Sequence, residues 1–141
     1  MKSIKNLLNK EVEFMKLDLI HHVAIIVSDY EKSKDFYVNK LNFKIIRENF
    51  REERDDYKLD LKVSENTELE IFAMKNSPKR LSRPEACGLR HLCFKVNNIE
   101  EIIEELNRKG IETEPIRIDE FTNSKFTFFQ DPDGLPIELH E

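Results

Sequence analysis

Two kinds of stretch alternate along this chain: short runs of apolar and β-branched residues, and amphipathic segments with helical spacing. His22-Val23-Ala24-Ile25-Ile26-Val27 is such a run and predicts a buried strand. Ser28-Asp29-Tyr30-Glu31 follows with the Ser-x-x-Glu spacing of a capping box, so a helix should begin there. Tyr30, Phe36, Tyr37 and Leu41 recur at helical spacing and carry that helix to about residue 41. Three strand-like segments come next, over 43–51, 56–64 and 67–74. In the last of these Glu70 alternates with Leu69 and Ile71 and shares a face with Phe72. Lys75 to Gly88, with Pro78 and Pro84, is the most turn-rich stretch and reads as an internal linker.

The order then repeats. His91-Leu92-Cys93-Phe94-Lys95-Val96 predicts a strand, with Asn97 or Asn98 as the cap of the next helix. Ile99, Ile102, Ile103 and Leu106 form its apolar stripe, and Gly110 stops it. Strands are expected near 112–118, 124–130 and 135–140, the last two joined by the turn Asp131-Pro132-Asp133-Gly134. Laid on one another, His22, Val27, Asp29 and Glu31 match His91, Val96, Asn98 and Glu100 at an offset of roughly 69 residues. Past the helix the offset becomes roughly 68, and Leu69-Glu70-Ile71 matches Ile137-Glu138-Leu139. The chain therefore reads as a duplicated β-α-β-β-β unit. The first module spans about 20–75, the linker 76–88 and the second module about 89–140.

Composition narrows the setting. With 141 residues there is room for one domain with a sizeable core. Lys and Arg total 23 against 28 Asp and Glu, a net charge of −5, which argues against a nucleic-acid partner. No apolar run reaches the roughly 18–20 residues of a membrane span, and no signal-peptide pattern opens the chain, so a cytoplasmic protein is expected. Cys87 and Cys93 make no disulfide framework.

The repeat places one His on the first strand and one Glu on the last strand of each module. If the modules pack about a pseudo-twofold axis, His22, Glu70, His91 and Glu138 converge. Two neutral imidazoles and two carboxylates suit a borderline divalent cation such as nickel, cobalt, zinc, manganese or ferrous iron. Taken singly, each has a plainer explanation: a strand His is more often a hydrogen-bonded structural residue, and a strand Glu usually faces solvent. It is the equivalence of all four that favours ligation. His21 competes with His22, but only His22 keeps register with His91. His140 reads as a solvated tail residue, and Cys93 as a small core residue, or else a pocket wall on the His91 face. Phe126 to Phe129 reads as core, with one ring free to line a pocket. Arg47, Arg51 and Arg54 read as a solvated edge strand or as an anion site.

The stretches His22 to Asp29, Lys34-Asp35-Phe36-Tyr37, Arg83 to Leu92 and Phe128 to Leu139 resemble the vicinal oxygen chelate superfamily, the glyoxalase/bleomycin-resistance/dioxygenase group. The second and third of the longer segments are closest to its bacterial glyoxalase I-like branch. The resemblance covers roughly residues 18–141. It departs at Asn42, where the family usually has Gly, and Asn tolerates the same left-handed backbone. It implies an α+β fold in which tandem βαβββ modules form a curved mixed sheet with the helices on its outer face. The implied ligands are His22, Glu70, His91 and Glu138, holding one divalent metal per site, nickel or zinc before cobalt, manganese or iron. The implied activity is that of lactoylglutathione lyase, acting on the hemithioacetal of methylglyoxal and a thiol, usually glutathione. Glu138 would be the catalytic base, with Glu70 a ligand and second proton carrier. A homodimer is implied, because such sites are often built where two subunits meet. The same ligand set also serves 2-oxoacyl-CoA epimerases and thiol transferases acting on antibiotics. A ferrous dioxygenase fits it less well, and a metal-free drug-sequestering protein would not need it.

Residues 1–17 have no counterpart in the repeat and read as an N-terminal extension. Lys10-Glu11-Val12 can be encoded by a purine-rich run like a ribosome-binding sequence, compatible with translation starting at Met15. The alternative is an added helix built on Leu7, Leu8 and Val12.

Overall fold

The computed structural model describes residues 15–141. Both readings of the leader, mistranslated segment or added helix, fall on residues outside that range. Residues 15–21 carry no helix or strand, and Leu17 and Ile20 are exposed.

Strand β1 (His22–Ile26) opens the first module, and α1 (Tyr30–Lys34) follows it. The strands β2 (Lys44–Arg51), β3 (Asp56–Lys62) and β4 (Glu68–Ala73) complete the unit. The second module repeats the order with β5 (Leu92–Lys95), α2 (Ile99–Arg108), β6 (Arg117–Ile118), β7 (Lys125–Gln130) and β8 (Pro136–His140). Each module makes its own four-stranded mixed sheet, in the orders β1-β4-β3-β2 and β5-β8-β7-β6. The first and last strands of a module lie parallel, and the other neighbours are antiparallel. The α+β class and the duplicated βαβββ plan are thus as expected.

Local chemistry accounts for the differences in detail. Helix α1 starts one residue later than the capping box suggests. Asp29 caps it, accepting from the Lys32 amide, while Ser28 donates from both its amide and its hydroxyl to the Asp133 carboxylate. After Lys34 the helix widens into a π-helix over Asp35–Lys40, in which the Leu41 amide reaches the Phe36 carbonyl at 2.9 Å. Asn42 then turns the chain with φ of +62°, the left-handed conformation expected of it. The strand expected over 112–118 shrinks to Arg117–Ile118. Pro115 has no amide to give to a ladder, although Glu114 still donates to the Phe128 carbonyl at 2.9 Å. Asn98 is the cap of α2, accepting from the Glu101 amide.

One apolar core runs through both modules. Leu59, Leu61, Leu69 and Ile71 of the first sheet meet Phe36 and Tyr37, and these continue into Phe129, Ile137, Leu139, Ile99 and Leu106 of the second. Tyr37 is fully buried and donates its hydroxyl to Asp131 Oδ2 at 2.8 Å. The other oxygen of Asp131 accepts the Asp133 and Leu135 amides, both at 2.9 Å, and so shapes the turn before β8. Burial raises both the Tyr37 phenol and the Asp131 carboxyl above their ordinary ranges. The bond joins residues 94 apart in sequence and ties the α1 region to the β7–β8 turn.

Tyr37→Phe leaves that buried carboxylate short of a partner. It should cost about 1–3 kcal/mol in urea unfolding at an unchanged denaturant slope. A loss under a few tenths would show that the bond carries no weight between the modules.

Candidate functional site

The parallel pairing within each module decides where the candidate ligands point. Ala24 pairs with Glu70 across β1 and β4, and Cys93 pairs with Glu138 across β5 and β8. Alternation along β4 sends Leu69 and Ile71 into the core and leaves Glu68, Glu70 and Phe72 half-buried on the opposite face. In β8 the same alternation buries Ile137 and Leu139 and turns Glu138 outward. A histidine at the start of the parallel strand then lies beside each glutamate. His22 Nε2 is 3.4 Å from Glu70 Oε2, and His91 Nε2 is 2.9 Å from Glu138 Oε2. Both glutamates are well shielded, with side-chain exposures of 16% and 14%, while the imidazoles remain accessible at 44% and 32%.

Two ligand atoms about 2.1 Å from one cation stand about 3.0–3.4 Å apart in octahedral or tetrahedral coordination. Each His–Glu pair meets that spacing, and its donor types suit a borderline divalent metal. Each pair nonetheless supplies only two donors. Among the described residues no group of three or more His, Cys, Asp and Glu side chains comes together as a metal site. The four residues therefore do not converge within one chain, because the modules join through their helix-side core and each keeps its own sheet face.

The surroundings of the two pairs differ. Around Glu70 the face is charged: Lys58 Nζ lies 3.0 Å from Glu70 Oε1 and 3.2 Å from the buried Asp60, which also accepts from Arg47 Nε at 2.9 Å. Around Glu138 it is aromatic. The Phe128 ring stands edge-on to His91 with centroids 5.2 Å apart, and Arg117 covers Phe126 and Phe128. Lys58 and Asp60 carry no signal as site residues in the sequence alone, and Phe128 is the ring of the aromatic run that lines the His91 side. The signal that finds them is register: Asp60 faces Glu70 across β3–β4 as Phe128 faces Glu138 across β7–β8.

Several expectations change with the tertiary structure. Cys93 is exposed beside Glu138 rather than packed in the core, because β5 turns it to the His91 face. Desolvation, with the Glu138 charge second, pushes its thiol up to about 11. His140 is half-buried rather than a solvated tail, stacked on Phe126 with Nε2 3.5 Å from Asp119. Arg51 makes two 2.6 Å bonds to Asp56, and Arg47 binds Asp60, so neither is a free anion site. Of the aromatic run only Phe129 is core. His21 lies beside its neighbour, Nδ1 to Nδ1 at 3.0 Å, and not against a glutamate.

A family model described as Glyoxalase/Bleomycin resistance protein/Dioxygenase superfamily matches residues 19–139. YwkD of Bacillus subtilis (strain 168) is 57% identical over 127 residues, covering 90% of this chain and 99% of that protein. YaeR of Escherichia coli (strain K12) is 47% identical over 125 residues, covering 89% and 97%. Among solved structures, a glyoxalase family protein from Enterococcus faecalis superposes with a TM-score of 0.85 at 60% identity, covering 90% of this chain and all of its own. A lactoylglutathione lyase from Agrobacterium tumefaciens gives 0.68 at 18% identity, covering 90% and 96%, and shows the shared fold.

The contact between Cys93 and Glu138 has a direct readout. Alkylation of Cys93, followed by mass spectrometry from pH 7 upward, should rise with a midpoint near 11. In Glu138→Gln that midpoint should fall. An unmoved midpoint would separate the two side chains.

Proposed function

The chain belongs to the Glyoxalase/Bleomycin resistance protein/Dioxygenase superfamily, and from that premise we propose that it is a metal-dependent isomerase of the glyoxalase I type. Its substrate is the hemithioacetal of methylglyoxal with a low-molecular-weight thiol, glutathione or an equivalent, and its product an S-lactoyl thioester. One observation carries the reading: each module sets an imidazole and a shielded carboxylate at the spacing of two ligands on one cation, at equivalent positions of the repeat.

The half-sets support a homodimeric working form. The His22–Glu70 pair of one copy would meet the His91–Glu138 pair of another, so that a dimer holds two complete sites. Nickel or zinc suits the donors best, and cobalt, manganese and iron accept the same set. The metal, when bound, acts as a Lewis acid on the vicinal oxygens of the substrate. His22, Glu70, His91 and Glu138 would hold it. Glu138 takes the proton from C1 and returns it at C2 of the same substrate, so no other reactant is needed. Phe128 walls the His91 side, and the low exposure of Glu138 favours proton transfer over exchange with solvent.

Purified protein should carry stoichiometric divalent metal and turn over at least one hemithioacetal from a panel of thiols. Glu138→Gln should keep the metal and lose about 100-fold or more in kcat. Full activity in that variant would remove Glu138 as the base. A metal-free, inert protein that binds drug molecules would overturn the enzyme reading.

The shared site has its own test. His22→Ala and His91→Ala should each be inactive alone. Mixed and reassembled, half of the dimers pair one copy of each, and one of their two sites is intact. The mixture should recover about a quarter of wild-type activity. No recovery despite proven exchange of subunits would place the site within one chain.

A further inference from the structure

The two half-sites occupy equivalent places in the repeat but hold their glutamates differently. Glu70 has a nitrogen beside each oxygen. Its Oε2 faces His22, and its Oε1 receives Lys58 Nζ at 3.0 Å. Lys58 is itself fixed from behind. Its ammonium is also 3.2 Å from Asp60 Oδ1, and Asp60 is 1% exposed and gripped by Arg47 through its other oxygen. Arg47 in turn reaches Glu68 at 3.4 Å, which closes the chain of contacts on the β4 residue two before Glu70.

No comparable ionic brace holds Glu138. Its Oε2 meets His91 Nε2 at 2.9 Å, and among the described residues no Lys or Arg lies within ion-pair distance of it. The reason is in the repeat. Asp60 faces Glu70 across the ladder and Phe128 faces Glu138, while Lys58 has Phe126 as its counterpart. The same backbone plan therefore gives one carboxylate an ionic brace and the other an aromatic wall.

We propose that Lys58 is a positioning residue that holds Glu70 as a fixed ligand presenting only Oε2 to the metal, a brace that Glu138 lacks. The inference rests on the metal reading above and adds a division of labour between the two glutamates. An ammonium already occupying Oε1 blocks bidentate binding by Glu70 and keeps its rotamer. It also offsets the charge of Asp60, whose burial would otherwise be costly. Glu138 has no ionic tether of this kind, only its contacts with His91 and with the Cys93 thiol.

Equilibrium binding of Zn2+ and Co2+, read by competition with a chromophoric chelator, tests this without reference to turnover. Lys58→Met, Glu70→Gln and Glu138→Gln are compared singly and as the two doubles that contain Lys58→Met. Lys58 and Glu70 should be coupled, the double departing from the product of the singles by about threefold or more. Lys58→Met with Glu138→Gln should multiply to within about twofold. The absorption spectrum of the Co2+ form should change in Lys58→Met as Glu70 gains a second coordinating oxygen, and Lys58→Arg should restore it. A structural role alone would lower stability and leave that spectrum unmoved. Should Lys58→Met fail to fold, Lys58→Gln replaces it in every arm. Equal coupling to both glutamates, or an unchanged Co2+ spectrum, overturns the bracing role while leaving the metal reading intact. Wild-type protein that binds no metal in these titrations overturns both.

Discussion

The whole candidate site hangs on the parallel pairing between the first and last strands of each module. That pairing sets Ala24 opposite Glu70 and Cys93 opposite Glu138, and it brings each histidine to its glutamate. The pairing is locked by the opposite face of the same strands. Leu69 and Ile71, and likewise Ile137 and Leu139, are buried, and a slip by one residue would drive Glu70 or Glu138 into the core. The hydrophobic effect thus specifies the register, and the register specifies the site. Parallel neighbours need a long crossover, and here α1, β2 and β3, or α2, β6 and β7, supply it.

A second constraint acts between the modules. They share a core on the helix side, where Tyr37 reaches Asp131 and Ser28 reaches Asp133. Phe36 and Phe43 extend that contact to Phe129 and Phe94. A buried, raised carboxyl at Asp131 is tolerated because three donors serve it. Joining the modules on this side leaves both donor-bearing faces available and keeps them apart. That separation is why the four candidate donors stand as two pairs within the chain.

Much of the fold was legible in the chain itself. The strand runs at His22 and His91, the caps before both helices, the left-handed Asn42 and the turn at Asp131 to Gly134 are local signals of period, capping and turn chemistry. The misses are equally physical. The capping box at Ser28 lost to Asp29 because Asp133, distant in sequence, claims the Ser28 hydroxyl. The strand before Pro115 could not form a full ladder without the missing amide. Cys93 and His140 differ from what their residue types suggest, because residue type says little about which face of a short strand will be covered.

The repeat determined, from sequence alone, that one His and one Glu recur at matching places in two βαβββ modules, and alternation along β4 and β8 determined that both glutamates leave the core. These are local consequences of strand periodicity. Only the tertiary structure decided what stands next to them. The brace of Lys58 and Asp60 on Glu70 and the Phe128 edge against His91 arise between strands, from the register of β3 on β4 and β7 on β8. The distribution of the four candidate ligands as two pairs rather than one cluster was likewise settled by packing, because the apolar helix faces joined the modules and left each sheet with its own polar face.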